Sequence, residues 1–165
     1  MTEPTLSKLD RLLDELIAQY RHLPGATLPV LHAVQDALGH IPPAAVPRIA
    51  QALNLSRAEV HGVVSFYHHF RTRPPGARVV QLCRAEACQS MGGKALWEHA
   101  CQSLGLDEQA GAHGATTADQ GVTLQPVYCL GLCACAPAMA IDGQVHGRVQ
   151  AADFERLLGR PQEAV

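Results

Sequence analysis

No stretch of this 165-residue chain approaches the roughly 18 consecutive apolar residues that a membrane-spanning helix requires. Charge of one sign is missing as well. Lys and Arg number 13 against 15 Asp and Glu, for a net charge of −2. That balance gives no sign of electrostatic binding along nucleic acid or to an anionic membrane. The one basic cluster, Arg71, Arg73 and Arg78, reads as a solvated linker or a protein contact. Met1-Thr2-Glu3-Pro4 has no basic start followed by an apolar run, so no secretory signal is expected. The chain therefore reads as cytoplasmic, a setting in which thiols stay reduced and a disulfide framework is disfavoured.

Catalytic signatures are also absent. There is no G-x-G-x-x-G after a strand, no P-loop and no Ser-His or Cys-His nucleophile arrangement. No Cys-x-x-Cys-His run exists to attach haem, and no histidine lies inside either cysteine loop as a Rieske centre would need. No internal repeat is evident. Apolar residues nevertheless make up 47% and charged residues 17%, enough for a packed core.

What the chain does have is cysteine in two short-spaced pairs, Cys83-x4-Cys88 and Cys129-x3-Cys133. Thiolates are soft ligands that suit iron–sulfur centres and structural zinc. By spacing alone, both remain open. The plant-type C-x4-C-x2-C ferredoxin pattern is excluded, and thiol–disulfide exchange is disfavoured because neither pair is Cys-x-x-Cys.

The organisation predicted along the chain is α+β. Leu6, Leu9, Leu13, Leu16, Ile17 and Tyr20 form a helical stripe that Pro24-Gly25 ends. Val30, Leu31, Val34 and Leu38 mark a second helix closed by Gly39. Ala45, Val46, Ile49, Ala50 and Leu53 mark a third that stops near Asn54. Ser56-Arg57-Ala58-Glu59 is a capping-box pattern opening a fourth. This gives a helical bundle over residues 1–73, and Pro74-Pro75-Gly76 is the natural break. Residues 74–165 read as β-α-β-β-β-α: a strand Arg78 to Cys83, a helix Gly93 to Leu104, a strand from Val122, a hairpin about Asp142-Gly143, and a helix Ala151 to Leu158. Pro126 implies an edge position or an irregular strand end. Gln109 to Gln120 reads as a surface loop.

If the first two strands are joined by a crossover they run parallel, and their ends share one sheet edge. Cys83 then closes one strand and Cys129 the other, with Cys88 and Cys133 in the loops that follow. Gly92, Gly93 and Gly131 would let backbone N–H groups approach sulfur. Leu130, Leu132, Ala134, Ala136 and Met139 would form an apolar shell. Cys101 and Cys135 read as packing residues, as do His68 and His69 beside the aromatic run Phe66, Tyr67 and Phe70. Arg84 and Glu86, between two candidate ligands, read as electrostatic tuning groups, as residues facing a partner, or as solvated ones.

With these residues the chain resembles the thioredoxin-like [2Fe-2S] ferredoxin subunits of the NADH-dehydrogenase 24-kDa type. The resemblance rests on Leu31-His32-Ala33-Val34-Gln35, Gly39-His40-Ile41-Pro42, Gly62-Val63-Val64-Ser65-Phe66-Tyr67, both cysteine loops, Asp142-Gly143 and His146-Gly147-Arg148. It implies a helical region followed by a thioredoxin-like domain, and a [2Fe-2S] cluster held by Cys83, Cys88, Cys129 and Cys133. Family members serve respiratory complex I, NAD-linked [NiFe] hydrogenases and NAD-dependent formate dehydrogenases. Cys83-Arg84-Ala85-Glu86-Ala87-Cys88-Gln89-Ser90-Met91-Gly92 and Cys133-Ala134-Cys135-Ala136-Pro137 are most similar to the gamma subunit of molybdenum-containing formate dehydrogenases. The implied partners are a flavin subunit carrying FMN and binding NAD, and a catalytic subunit carrying the molybdenum cofactor. The implied reaction is formate oxidation to carbon dioxide with NAD reduction. A structural zinc module for assembly is the alternative of another class.

Overall fold

The structure, a computed structural model, describes residues 8–107 and 114–159. The chain divides into two compact units, Met1–Pro74 and Pro75–Val165.

The first unit holds four helices: α1 (Lys8–Tyr20), α2 (Thr27–Leu38), α3 (Ala45–Leu53) and α4 (Arg57–Phe66). Leu6 of the predicted stripe lies outside the described residues. The apolar positions predicted at helical spacing converge, and Leu13, Ile17, Val30, Leu31, Val34, Ile49, Val60 and Val64 are buried together. Pro29 and Pro47 fall in the first turns of α2 and α3, where a missing N–H leaves no helical bond unmade. Gly39 and Asn54 end α2 and α3 in the left-handed conformation. The Ser56 hydroxyl accepts from Glu59 N–H at 3.1 Å while the Glu59 carboxylate accepts from Ser56 N–H at 2.8 Å, closing the capping box on α4. Arg48 ties α3 to α1 through Asp10 at 2.7 Å and Asp14 at 2.6 Å. Buried Gln35 donates to His69 O at 2.8 Å and accepts from Arg71 N–H at 2.7 Å, so one side chain satisfies two main-chain groups after α4.

The second unit is a five-stranded mixed sheet in the order β2-β3-β1-β4-β5. Its strands are β1 (Arg78–Cys83), β2 (Ala115–Thr116), β3 (Val122–Val127), β4 (Ala138–Ile141) and β5 (Gln144–Gly147). β1 and β3 are parallel, with Arg78 opposite Val122 and Cys83 opposite Val127. β4 runs antiparallel to β1 and turns through Asp142-Gly143 into β5. The Asp142 carboxylate accepts from Val79 N–H at 2.7 Å and from Arg78 Nε at 3.1 Å, which anchors that turn on β1. Helices α6 (Lys94–Leu104) and α7 (Ala151–Leu158) supply Leu96, Trp97, Ala100, Leu104 and Phe154 to a core shared with Val80, Leu82, Leu124, Met139 and Ile141.

Two expectations need correction. The segment read as a loop contains β2, so the order is β-α-β-β-β-β-α; residues 109–113 of that segment lie outside the described residues. Asp119 accepts from Gly121 N–H at 2.9 Å in a tight turn that folds Ala115-Thr116 back onto β3, and the Thr116 and Thr123 hydroxyls meet at 2.8 Å. The helix between β1 and β3 also begins sooner than Gly93. One helical turn, α5 (Glu86–Cys88), precedes a kink at Met91 and Gly92, where Gly92 has φ +94°. Pro126, read as marking an edge position or an irregular strand end, lies beyond the reach of β2, which pairs only with Thr123 and Leu124. The missing N–H therefore leaves no gap on that side.

Candidate metal centre

The parallel pairing of β1 and β3 brings the two cysteine loops to one edge of the sheet. Cys83 is the last residue of β1 and Cys88 the last of α5, so Cys88 sits on a helical turn rather than in the expected loop. A Cβ at Gly93 would meet the Cys88 carbonyl at 2.6 Å, so only glycine lets α6 start this close to the Cys88 turn. Cys129 does not close β3. It lies two residues past Val127, with φ +123°, a conformation that costs a side-chain-bearing residue energy. Gly131, with φ +76°, completes the reversal, and its N–H donates to the Cys129 sulfur at 3.3 Å.

The thiols meet as pairs. Cys129 Sγ lies 3.9 Å from Cys133 Sγ. Cys83 and Cys88 pack in one buried cluster and are 4% and 2% exposed. Cys129 and Cys133 face solvent. Burial pushes the Cys88 thiol pKa up; the hydrogen bond with Cys83 and negative charge on Cys83 or Cys133 add to it, and an Ala138 backbone hydrogen bond opposes it. The Cys133 thiol is also raised, first by its hydrogen bond with Cys129 and then by charge on that neighbour, with Cys83 contributing. Thiols of both loops thus feel one another's charge. Ionising them together is costly without a cation, and a bound cation reverses that cost as protons leave.

The donor chemistry fits a soft centre. Two thiolates on one tetrahedral ion with bonds of about 2.3 Å stand about 3.8 Å apart. Among the described residues, no three His, Cys, Asp or Glu side chains gather around a single point. The arrangement is two by two.

The expected apolar shell is confirmed in part and corrected in part. Leu130, Leu132 and Ala136 do pack with Cys83 and Cys88, joined by Ala85, Val127 and Ala138. Ala134 is exposed, and Met139 belongs to the core under α6 and α7 because alternation along β4 turns it away from Ala138. Sequence reading missed the Ala138 backbone contact to Cys88, since main-chain donors leave no residue-type signal. Cys101 is buried in the α6 core, away from the thiol cluster. The Cys135 carbonyl accepts from Arg148 N–H at 2.7 Å, fastening the second cysteine loop to the end of β5.

A family model described as thioredoxin-like [2Fe-2S] ferredoxin matches residues 13–162. An NADH-quinone oxidoreductase subunit of Rhizobium meliloti (strain 1021) is 34% identical over 146 residues, covering 88% of this chain and 84% of that protein. An NADH-quinone oxidoreductase subunit of Pseudomonas aeruginosa is 32% identical over 154 residues, covering 93% and 90%. Among solved structures, an NAD+-reducing [NiFe]-hydrogenase in the H2-reduced state superposes with a TM-score of 0.63 at 27% identity over 78% of this chain. The chain spans about a fifth (21%) of that hydrogenase chain. By its family match and its relatives, this chain belongs to the thioredoxin-like [2Fe-2S] ferredoxin family.

Proposed function

We propose that this chain is the electron-transfer subunit of an NAD-linked oxidoreductase and holds one [2Fe-2S] cluster on Cys83, Cys88, Cys129 and Cys133. The observation that carries the reading is the pairing of thiols at one sheet edge, one pair buried and one exposed. A cluster bound there supplies a one-electron store. The chain's own residues do the rest: the buried pair and its apolar neighbours limit water, Gly131 N–H supports a thiolate at Cys129, and the exposed pair stays open to solvent. No residue here has a catalytic role. Hydride chemistry falls to FMN and NAD on a flavin subunit.

For the parent enzyme we propose an NAD-dependent formate dehydrogenase with a molybdenum-containing catalytic subunit, acting in the cytoplasm. The two cysteine-loop sequences support it. A second reading is a subunit of complex I or of an NAD+-reducing [NiFe] hydrogenase, favoured by the names of the relatives above. Among the described residues no helix is long and apolar enough to cross a membrane. Purifying the tagged chain from its native host decides between them. A molybdenum subunit and formate-dependent NAD reduction support the first; co-purifying nickel or membrane-arm subunits contradict it. One zinc per chain and no iron would instead favour the assembly module.

A further inference from the structure

Cys129 and Cys133 sit on a loop that reverses on itself. With Cys129 at φ +123° and Gly131 at φ +76°, the reversal sets the two sulfurs 3.9 Å apart. A disulfide bond is about 2.05 Å long, so closing the gap takes a movement of about 2 Å shared between two side chains. Both residues face solvent, where rotation about χ1 meets little resistance.

Access separates this pair from the other cysteines. Cys83, Cys88 and Cys101 are 4%, 2% and 1% exposed, out of reach of an oxidant in water. Cys135 is half-buried, with its Cβ beside the main chain of Gly147. The Cys-x3-Cys spacing is not that of a catalytic dithiol. Exchange itself needs only an accessible thiolate and a second sulfur within reach, and this loop supplies both.

We propose that Cys129 and Cys133 form a reversible disulfide in the metal-free chain, and that this bond and the metal centre exclude each other. The oxidant is a small-molecule disulfide of the glutathione class. The thiolate of one cysteine attacks a sulfur of the oxidant, expelling one small thiolate and leaving a mixed disulfide. The second cysteine, as thiolate, attacks the protein sulfur of that bond and expels the other small thiolate. The two protein thiols thus give up two protons and two electrons, which leave with the oxidant as two small thiols. Two of the four proposed ligands are then joined to each other and cannot hold metal until a thiol reductant reverses the exchange. A bound centre engages both sulfurs and leaves the oxidant no free thiolate. The exclusion rests on the ligand set proposed above; the disulfide does not.

The test uses the full chain, freed of metal by chelator under reductant and then held in glutathione buffers of graded ratio. Free thiols are counted by alkylation and mass spectrometry. The wild type should lose two of its six free thiols, and peptides cut after Leu130 and Leu132, which lie between the two cysteines, should remain joined through Cys129 and Cys133. Cys133→Ser should instead carry glutathione on Cys129, and Cys135→Ser should still form the bond. Uptake of iron and sulfide by the oxidised wild type should be lost until dithiothreitol is added, and chain loaded beforehand should give no joined peptide. A wild type that keeps all six thiols, or that carries glutathione without the joined peptide, overturns the proposal. So does a bond joining any other pair, its loss in Cys135→Ser, or an oxidised chain that takes up iron as fast as the reduced one. A reduced chain that takes zinc and no iron fails the cluster reading, while the joined peptide still supports the disulfide.

Discussion

The main chain of Gly147 lies against Cys135 so closely that a Cβ on the glycine would stand 2.7 Å from the Cys135 Cβ and 2.9 Å from its carbonyl oxygen. Together with the Arg148 N–H bond to that carbonyl, this contact clamps the second cysteine loop to the end of β5. Gly147→Ala should displace the loop and lower unfolding free energy by about 1–3 kcal/mol, as overpacking does. Iron should also leave the variant faster in the presence of a chelator. Equal chelation rates in variant and wild type would show that the clamp does not support the site.

The six cysteines divide into four with a proposed ligand role and two without. Cys129→Ser should abolish or alter the visible spectrum of the cluster. Cys101→Ala, in the α6 core, should leave that spectrum intact while lowering stability by about 1 kcal/mol, typical of a core substitution. A changed spectrum in Cys101→Ala, or an unchanged one in Cys129→Ser, contradicts the ligand set.

The capping box of α4 makes a pH-dependent contribution. The Ser56 N–H bond, and then the Ser56 hydroxyl, hold the Glu59 carboxyl below its ordinary pKa. Because the folded value is depressed, the contribution is present above the ordinary glutamate value of about 4.3 and is lost as pH falls through the folded value. Ser56→Ala should lower stability by about 1 kcal/mol at neutral pH. Between neutral pH and the acid limit the stability of Glu59→Gln, which removes the titrating carboxyl, should fall less steeply than that of the wild type. Parallel acid-unfolding profiles would contradict the linkage.

Gln35 is buried and serves two main-chain groups that have no helix or strand to bond them. Gln35→Leu keeps the volume but leaves His69 O and Arg71 N–H unmatched. Such a loss costs about 1–3 kcal/mol, readable as a lower denaturant midpoint at constant slope. An unchanged midpoint would mean that water replaces the amide.

Helix periodicity and caps make the first unit legible, because Leu13, Ile17, Val34 and Ile49 signal burial by spacing alone and Gly39 and Ser56 mark ends. The parallel pairing of β1 and β3 follows from the helix between them, and it places both cysteine loops at one edge. The rest lies in features that residue type does not announce. β2 is two residues long and exists only because the Asp119 turn folds it onto β3. Cys129 takes a positive φ that no rule assigns to cysteine, and one step of strand alternation separates Met139 from the cysteine side of the sheet. Cys135 gains its structural part through its carbonyl and Cβ against Gly147, which the cysteine count cannot reveal.

The central claim is that Cys83, Cys88, Cys129 and Cys133 hold one [2Fe-2S] cluster, and metal analysis of the purified chain tests it most directly. The account predicts brown protein with about two irons and two acid-labile sulfides per chain and a paramagnetic signal that appears on one-electron reduction. Colourless protein with one zinc per chain and no acid-labile sulfide would contradict it.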